Sequence, residues 1–143
     1  MSYFRAVDPF PLESAADTKL HEFYARLAAG RLSTTRCTTC GTTAWPPRGF
    51  CPDCAGDRFE WADLPTEGTV HAFTTQDTGL PAGFSGPRVF AIVKVGDHRI
   101  FCILLEADPA RVTLGQRVRL TPLAVAPDAQ GNPRWLPAFT PSA

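Results

Sequence analysis

Four cysteines are spaced so that their sulfurs could close on one metal ion. The stretch Arg36 to Ala55, RCTTCGTTAWPPRGFCPDCA, holds two Cys-x-x-Cys pairs, Cys37/Cys40 and Cys51/Cys54, with ten residues between them. Two residues between thiolates allow a tight knuckle turn that aims both sulfurs at one point. Two such knuckles supply the four soft ligands of a closed tetrahedral site. Gly41, directly after the first pair, suits a turn that needs positive φ, and Pro52 stiffens the second knuckle. The expected chemistry is structural binding of one zinc ion, in a ribbon made compact and rubredoxin-like by a separation shorter than is usual for four-Cys zinc sites. Two disulfides or a redox dithiol pair would use the same residues. Nothing helical follows either pair, as a thioredoxin-type site would require, and a reducing compartment favours metal-held thiolates. Iron suits the same four sulfurs.

Little else in the chain could do chemistry. Cys102 is the odd thiol, set mid-strand among Phe101, Ile103 and Leu104, where a cysteine behaves as a small inert hydrophobe. The sequence has no Ser/His/Asp order, no paired carboxylates in an apolar setting, no Walker loop and no Gly-x-Gly-x-x-Gly. Four thiolates also leave zinc no open coordination position for a reacting water. Catalysis by this chain alone is not expected.

Composition sets the frame. The 143 residues are 44% hydrophobic and 20% charged, with formal net charge zero and pI near 6.8. That is a folded chain with room for a small ribbon and one compact barrel. It lacks the positive field that drives non-specific nucleic-acid binding. Met1 to Pro11 has neither the basic start nor the apolar core of a signal peptide, and no apolar run reaches membrane-spanning length. A cytoplasmic protein without membrane contact is expected.

The elements that must position the cysteines follow in order. Ser2 to Ala16 lacks a period and reads as an extended arm. Asp17 or Thr18 should cap a helix running to about Ala29, with Leu20, Phe23, Tyr24, Leu27 and Ala28 on one stripe and Gly30 as its stop. After the ribbon, Asp57 to Glu67 reads as a solvated acidic connector pinned by Trp61 and Leu64, although Trp61 also suits a first strand continuing from Phe59. Strands are expected at Gly68 to Thr75, Arg88 to Val95, Arg99 to Glu106, Arg117 to Val125 and Arg134 to Phe139. Five strands with a break at Ala107 to Gln116, filled by a small helix or turn, fit an OB-type barrel. The fold class is therefore mainly β: an N-terminal amphipathic helix, a four-Cys zinc ribbon and a five-stranded OB-fold barrel, in domains spanning 1–32, 33–66 and 67–143. Gln76 to Pro87 is the long loop, with Leu80, Pro81 and Phe84 near its tip. The hairpin of the second and third strands is apolar on both faces, so its outer face needs a cover, expected in the partner or a second copy of the chain.

With these pieces in order the chain resembles the acyl-CoA-associated family of rubredoxin-like zinc ribbon plus OB-fold proteins. The resemblance runs from roughly Leu20 to Thr121. It is carried by Phe23-Tyr24, Gly30-Arg31-Leu32, Cys37-Thr-Thr-Cys40-Gly41, Pro46-Pro47-Arg48, Cys51-Pro-Asp-Cys54, Gly68-Thr69-Val70 with Phe73-Thr74, and the Val89 to Val95 strand. It implies a non-catalytic accessory subunit in a hetero-oligomer with a thiolase-like enzyme or a hotdog-type hydratase of acyl-CoA (lipid) metabolism, with the CoA ester as a ligand shared with the partner. CoA phosphates need cations and its pantetheine arm an apolar channel. On that implication Arg88, the loop's Phe84 beside it, and Arg48 in the ribbon are the candidate CoA-binding residues. The competing class is a single-stranded nucleic-acid binder, a role both OB barrels and zinc ribbons serve. Neutral charge and few exposed aromatics count against it.

Overall fold

The cysteine knuckles hang from a two-stranded ribbon in the computed structural model, which describes residues 8–81 and 83–142. Residues 2–7 of the expected arm and Ala82 of the long loop lie outside the described residues. β1 (Leu32–Cys37) pairs antiparallel with β2 (Phe59–Leu64), from Leu32 opposite Leu64 to Cys37 opposite Phe59. β1 was not expected, and β2 replaces the acidic connector. Its carboxylates do not leave the segment solvated and loose: Glu60 meets Arg36 across the ladder at 3.5 Å, and Asp63 meets Arg31 at 2.8 Å. The alternative strand reading of Phe59 and Trp61 is the one realised.

The single described helix, α1 (His21–Ala28), begins later than expected. Thr18 Oγ1 accepts the Leu20 amide at 3.1 Å and Ser14 bonds Asp17, so the polar residues before the helix form turns, and no side chain caps Leu20 at its N-cap. The C-terminal stop is as expected: Gly30 sits at φ 82°, with the Gly30 amide on the Leu27 carbonyl and the Arg31 amide on the Arg26 carbonyl, both at 2.9 Å. This is a Schellman motif, whose left-handed residue favours glycine. Phe23 and Leu27 bury the helix stripe. They join Leu32 and the barrel interior in one hydrophobic cluster, with Trp45, Trp61 and Trp135 packed against it.

The barrel closes through β3 (Glu67–Gln76), β4 (Arg88–Val95), β5 (His98–Leu104), β9 (Ala138–Pro141) and β6 (Arg117–Leu120), in that spatial order. β5 and β9 are parallel, Ile103 opposite Ala138, and the other pairs are antiparallel. A five-stranded closed barrel leaves no free edge. Two expected strands are each split by a proline that cannot donate to a ladder. Pro122 separates β6 from β7 (Leu123–Val125), and Pro137 separates β8 (Arg134–Leu136) from β9. β7 and β8 pair with each other as an outlying hairpin. The break before β6 is filled by turns, with the Gly115 amide on the Val70 carbonyl.

Candidate functional site

The knuckles bring the four expected ligands together. The Gly41 amide bonds the Cys37 carbonyl and the Ala55 amide the Cys51 carbonyl, both at 2.9 Å, and Gly41 and Ala55 take φ of 78° and 62°. The sulfurs of Cys37, Cys40, Cys51 and Cys54 all lie within 4.8 Å of one another, with Cys37 to Cys54 at 3.6 Å and Cys40 to Cys51 at 3.5 Å. A tetrahedron with Zn–S of about 2.3 Å has sulfur edges of about 3.8 Å. A disulfide needs about 2.05 Å. The spacing therefore fits an ion, and the cysteines are free thiols.

Two further observations fit the same group. A Cβ added at Gly56 would lie 3.3 Å from Cys54 Sγ and 3.4 Å from Thr39 Oγ1, so that residue is a cradle cut to the sulfur. Without a cation the four sulfurs also conflict. The Thr42 hydroxyl, 3.2 Å away, and then its amide draw the Cys40 thiol down to about 6. The Gly56 amide pulls Cys54 the same way, yet crowding by Cys37 and Cys40 holds it up at about 12. A divalent ion removes the repulsion that keeps a proton in the cluster. Around it, Thr42 Oγ1 donates to Asp53 at 2.9 Å and the Asp53 amide points at Cys51 Sγ at 3.4 Å. Cys102 stands apart, buried in the barrel with its thiol pushed up to about 12 by burial, which makes it a poor nucleophile.

The three residues assigned to CoA line separate features. Arg48 is exposed on the ribbon, its amide held by Thr35 Oγ1 at 2.8 Å. Phe84 is half-buried, edge-on to Phe10 at 5.9 Å and to Phe90 at 6.5 Å. Arg88 donates Nε to the Ser85 carbonyl at 2.9 Å and borders a groove shared with Glu106 and Asp108.

A larger feature escaped the sequence. Between α1, the ribbon and the barrel runs a groove of 590 Å³, walled by Phe23, Tyr24, Trp45 and Phe101, with Arg99 at its edge. Its parts are far apart in the chain; the signals were Phe23-Tyr24, the Pro46-Pro47 that follow Trp45, and the apolar outer face of the β4–β5 hairpin, on which Phe101 lies. The outer face of the β4–β5 hairpin is treated unevenly. Phe90 and Ile103 are each 6% exposed, covered within the chain, whereas Phe101 is 68% exposed. The helix packs on β1 and β8 instead of hiding it.

Comparison with known proteins agrees with this geometry. The family model for the ChsH2 rubredoxin-like zinc ribbon domain matches residues 25–60, and that for the ChsH2 C-terminal OB-fold domain matches residues 61–121. The chain is 29% identical over 98 residues to the benzoylsuccinyl-CoA thiolase subunit BbsA of Thauera aromatica, a match covering 68% of this chain and 67% of that one. Its fold is similar to the solved structure of an Ltp2-ChsH2(DUF35) aldolase, with a TM-score of 0.73, 24% identity, and 91% and 99% of the two chains covered. A DUF35 protein of unknown function from Sulfolobus solfataricus aligns with a TM-score of 0.54 and 14% identity over 85% and 83% of the chains. Ribbon and barrel together define a two-module zinc-ribbon and OB-fold protein. The chain belongs to the ChsH2 family, whose zinc ribbon and C-terminal OB-fold it carries in that order.

Proposed function

We propose that this chain is a non-catalytic, zinc-stabilised subunit of a thiolase-like enzyme acting on acyl-CoA esters, and that it helps form the CoA-ester site while the reacting groups lie on the partner. The observation that carries this reading is the match to a thiolase subunit over 98 residues, about two thirds of each chain. The residues support an accessory role. Cys37, Cys40, Cys51 and Cys54 would hold one zinc ion, which supplies a four-point cross-link between the knuckles and no open position for substrate. A reducing compartment, the cytoplasm, suits those free thiols.

Arg48 and Arg88 are assigned to the phosphates of the CoA ester, since planar guanidinium groups pair with phosphate oxygens in bidentate fashion. Phe84, wedged between Phe10 and Phe90, positions the loop that leads into Arg88. The test is reconstitution of the assembled enzyme. Arg48→Ala and Arg88→Ala should each raise KM for the CoA ester several-fold with kcat little changed, the pattern of lost uniform binding. A partner that binds and turns over CoA esters equally well without this chain overturns the reading.

A further inference from the structure

The groove between ribbon, helix and barrel lies apart from the four-cysteine cluster. We infer that it is the seat of a segment of the thiolase-like partner, one that places a large apolar side chain against Phe101 and Trp45 and a carboxylate against Arg99, with Lys94 just outside that end of the groove. This rests on the reading of the chain as a subunit of such an enzyme.

Three observations carry it. The first is composition. The groove is walled by aromatic side chains, with one arginine and no lysine, aspartate, glutamate, serine or alanine. Interface cores are enriched and depleted in those same residue types. The second is exposure. Phe101 lies parallel to Phe90 at 5.9 Å, yet 68% of it is open to solvent. A small-ligand pocket encloses most of its ligand's surface. A large aromatic held outward at the mouth of a groove is instead the form of an interface anchor.

The third is charge. In the β4–β5 register Phe90 faces Ile103, Ile92 faces Phe101 and Lys94 faces Arg99, so one outer stripe passes from a single buried apolar pair to the exposed Phe101 and ends in two cations. Like charges directly opposite on a sheet repel. Neither Lys94 nor Arg99 joins an ion pair among the described residues. A carboxylate from outside would relieve that repulsion. The complement is therefore an apolar anchor beside an acid.

The experiment uses the whole complex. Tagged chain is used to retrieve the thiolase-like chain, identified by mass spectrometry, which is then titrated against purified wild type, Phe101→Asp, Arg99→Glu and Leu114→Asp. Leu114 is equally exposed, at 69%, but lies in the turn before β6, outside the groove. Zinc content and thermal unfolding confirm that the variants fold. Phe101→Asp should weaken the complex at least tenfold. Arg99→Glu should weaken it and flatten its salt dependence, and Leu114→Asp should change nothing. If wild type binds and both groove variants bind as well, the groove assignment is wrong although the subunit reading survives. If wild type binds no thiolase-like chain, the subunit reading itself fails. A wild-type dimer broken by Phe101→Asp, or CoA ester quenching Trp45 in the isolated chain, also overturns the inference, giving the groove to a second copy or to a small ligand.

Discussion

Arg134 and Asp8, 126 residues apart, meet in a bidentate ion pair, Nη1 to Oδ2 at 2.7 Å and Nη2 to Oδ1 at 3.0 Å, with the arginine 2% exposed. The guanidinium also donates to the carbonyls of Ala126 and Pro127 and lies over the Phe10 ring at 5.6 Å. One buried cation thus clasps the N-terminal arm to the β7–β8 hairpin, and through Phe10 and Phe84 the arm braces the long loop.

Breaking that clasp should loosen arm and loop together. Arg134→Ala is expected to lower Tm by several degrees and to make the bond region around Phe10 a site of limited proteolysis, and Arg134→Lys should not restore it, since an ammonium cannot reproduce the fork. Hydrogen bonding from Arg134 holds the Asp8 carboxyl below its usual range. A depressed carboxylate contributes stability above its unfolded value near 3.8 and loses it as pH falls through the folded value. Acid unfolding should accordingly come at higher pH in Arg134→Ala than in wild type.

Glu13 works in the opposite direction. Its Oε1 accepts the Trp135 amide at 2.9 Å while Oε2 is buried without a partner. Desolvation pushes its carboxyl up to about 7, despite the Trp135 amide and the charge of Arg134, with Asp128 adding to the rise. A raised carboxyl contributes stability below its unfolded value near 4.5 and loses it as pH climbs through 7. Wild type should therefore lose Tm between pH 5 and 8. Glu13→Gln keeps the acceptor and removes the charge, so it should flatten that slope and raise Tm at pH 8 by roughly 3 to 10 °C, for a penalty of about 1 to 3 kcal/mol at about 3 °C per kcal/mol. An unchanged slope contradicts the assignment.

At the start of β3 the barrel strands approach so closely that Gly68 is the residue that fits. A Cβ there would come 2.5 Å from the Lys94 carbonyl oxygen and 2.7 Å from Val93 Cγ1. Gly68→Ala should cost about 1 to 3 kcal/mol, as overpacking does, measured by denaturant unfolding. It should leave zinc content unchanged, because the ribbon is built from other strands.

Zinc removal should act locally in the reverse sense. Metal binding in zinc-finger peptides is worth roughly 10 to 16 kcal/mol, so Cys40→Ala should abolish stoichiometric metal and unfold the knuckles, while Cys102→Ala keeps the metal. Freshly purified protein with neither zinc nor iron contradicts the candidate site.

What could be read from the sequence depended on how each segment announces itself. The cysteine pairs and β4 were legible because their signals are local: thiol spacing in one, an apolar β-branched run bounded by Pro87 and Gly96 in the other. β1 was not. Its Leu32 to Thr35 are all buried, yet three are Ser33, Thr34 and Thr35. The threonines are tolerated because Thr34 Oγ1 donates to the Ala44 carbonyl and Thr35 Oγ1 takes the Arg48 amide, partners set by the ribbon fold. In β2 the acids outweighed the aromatics in the reading, since their arginine partners lie on other elements. The arm clasp and the groove join residues scattered along the chain, and no spacing rule reports such meetings.

The subunit role is tested by assaying the thiolase-like partner on a CoA ester, with and without this chain, while following assembly by mass. The prediction is a defined hetero-oligomer in which the added chain raises kcat/KM at least tenfold and is itself inactive. Full activity of the partner alone, with no complex formed, would contradict it.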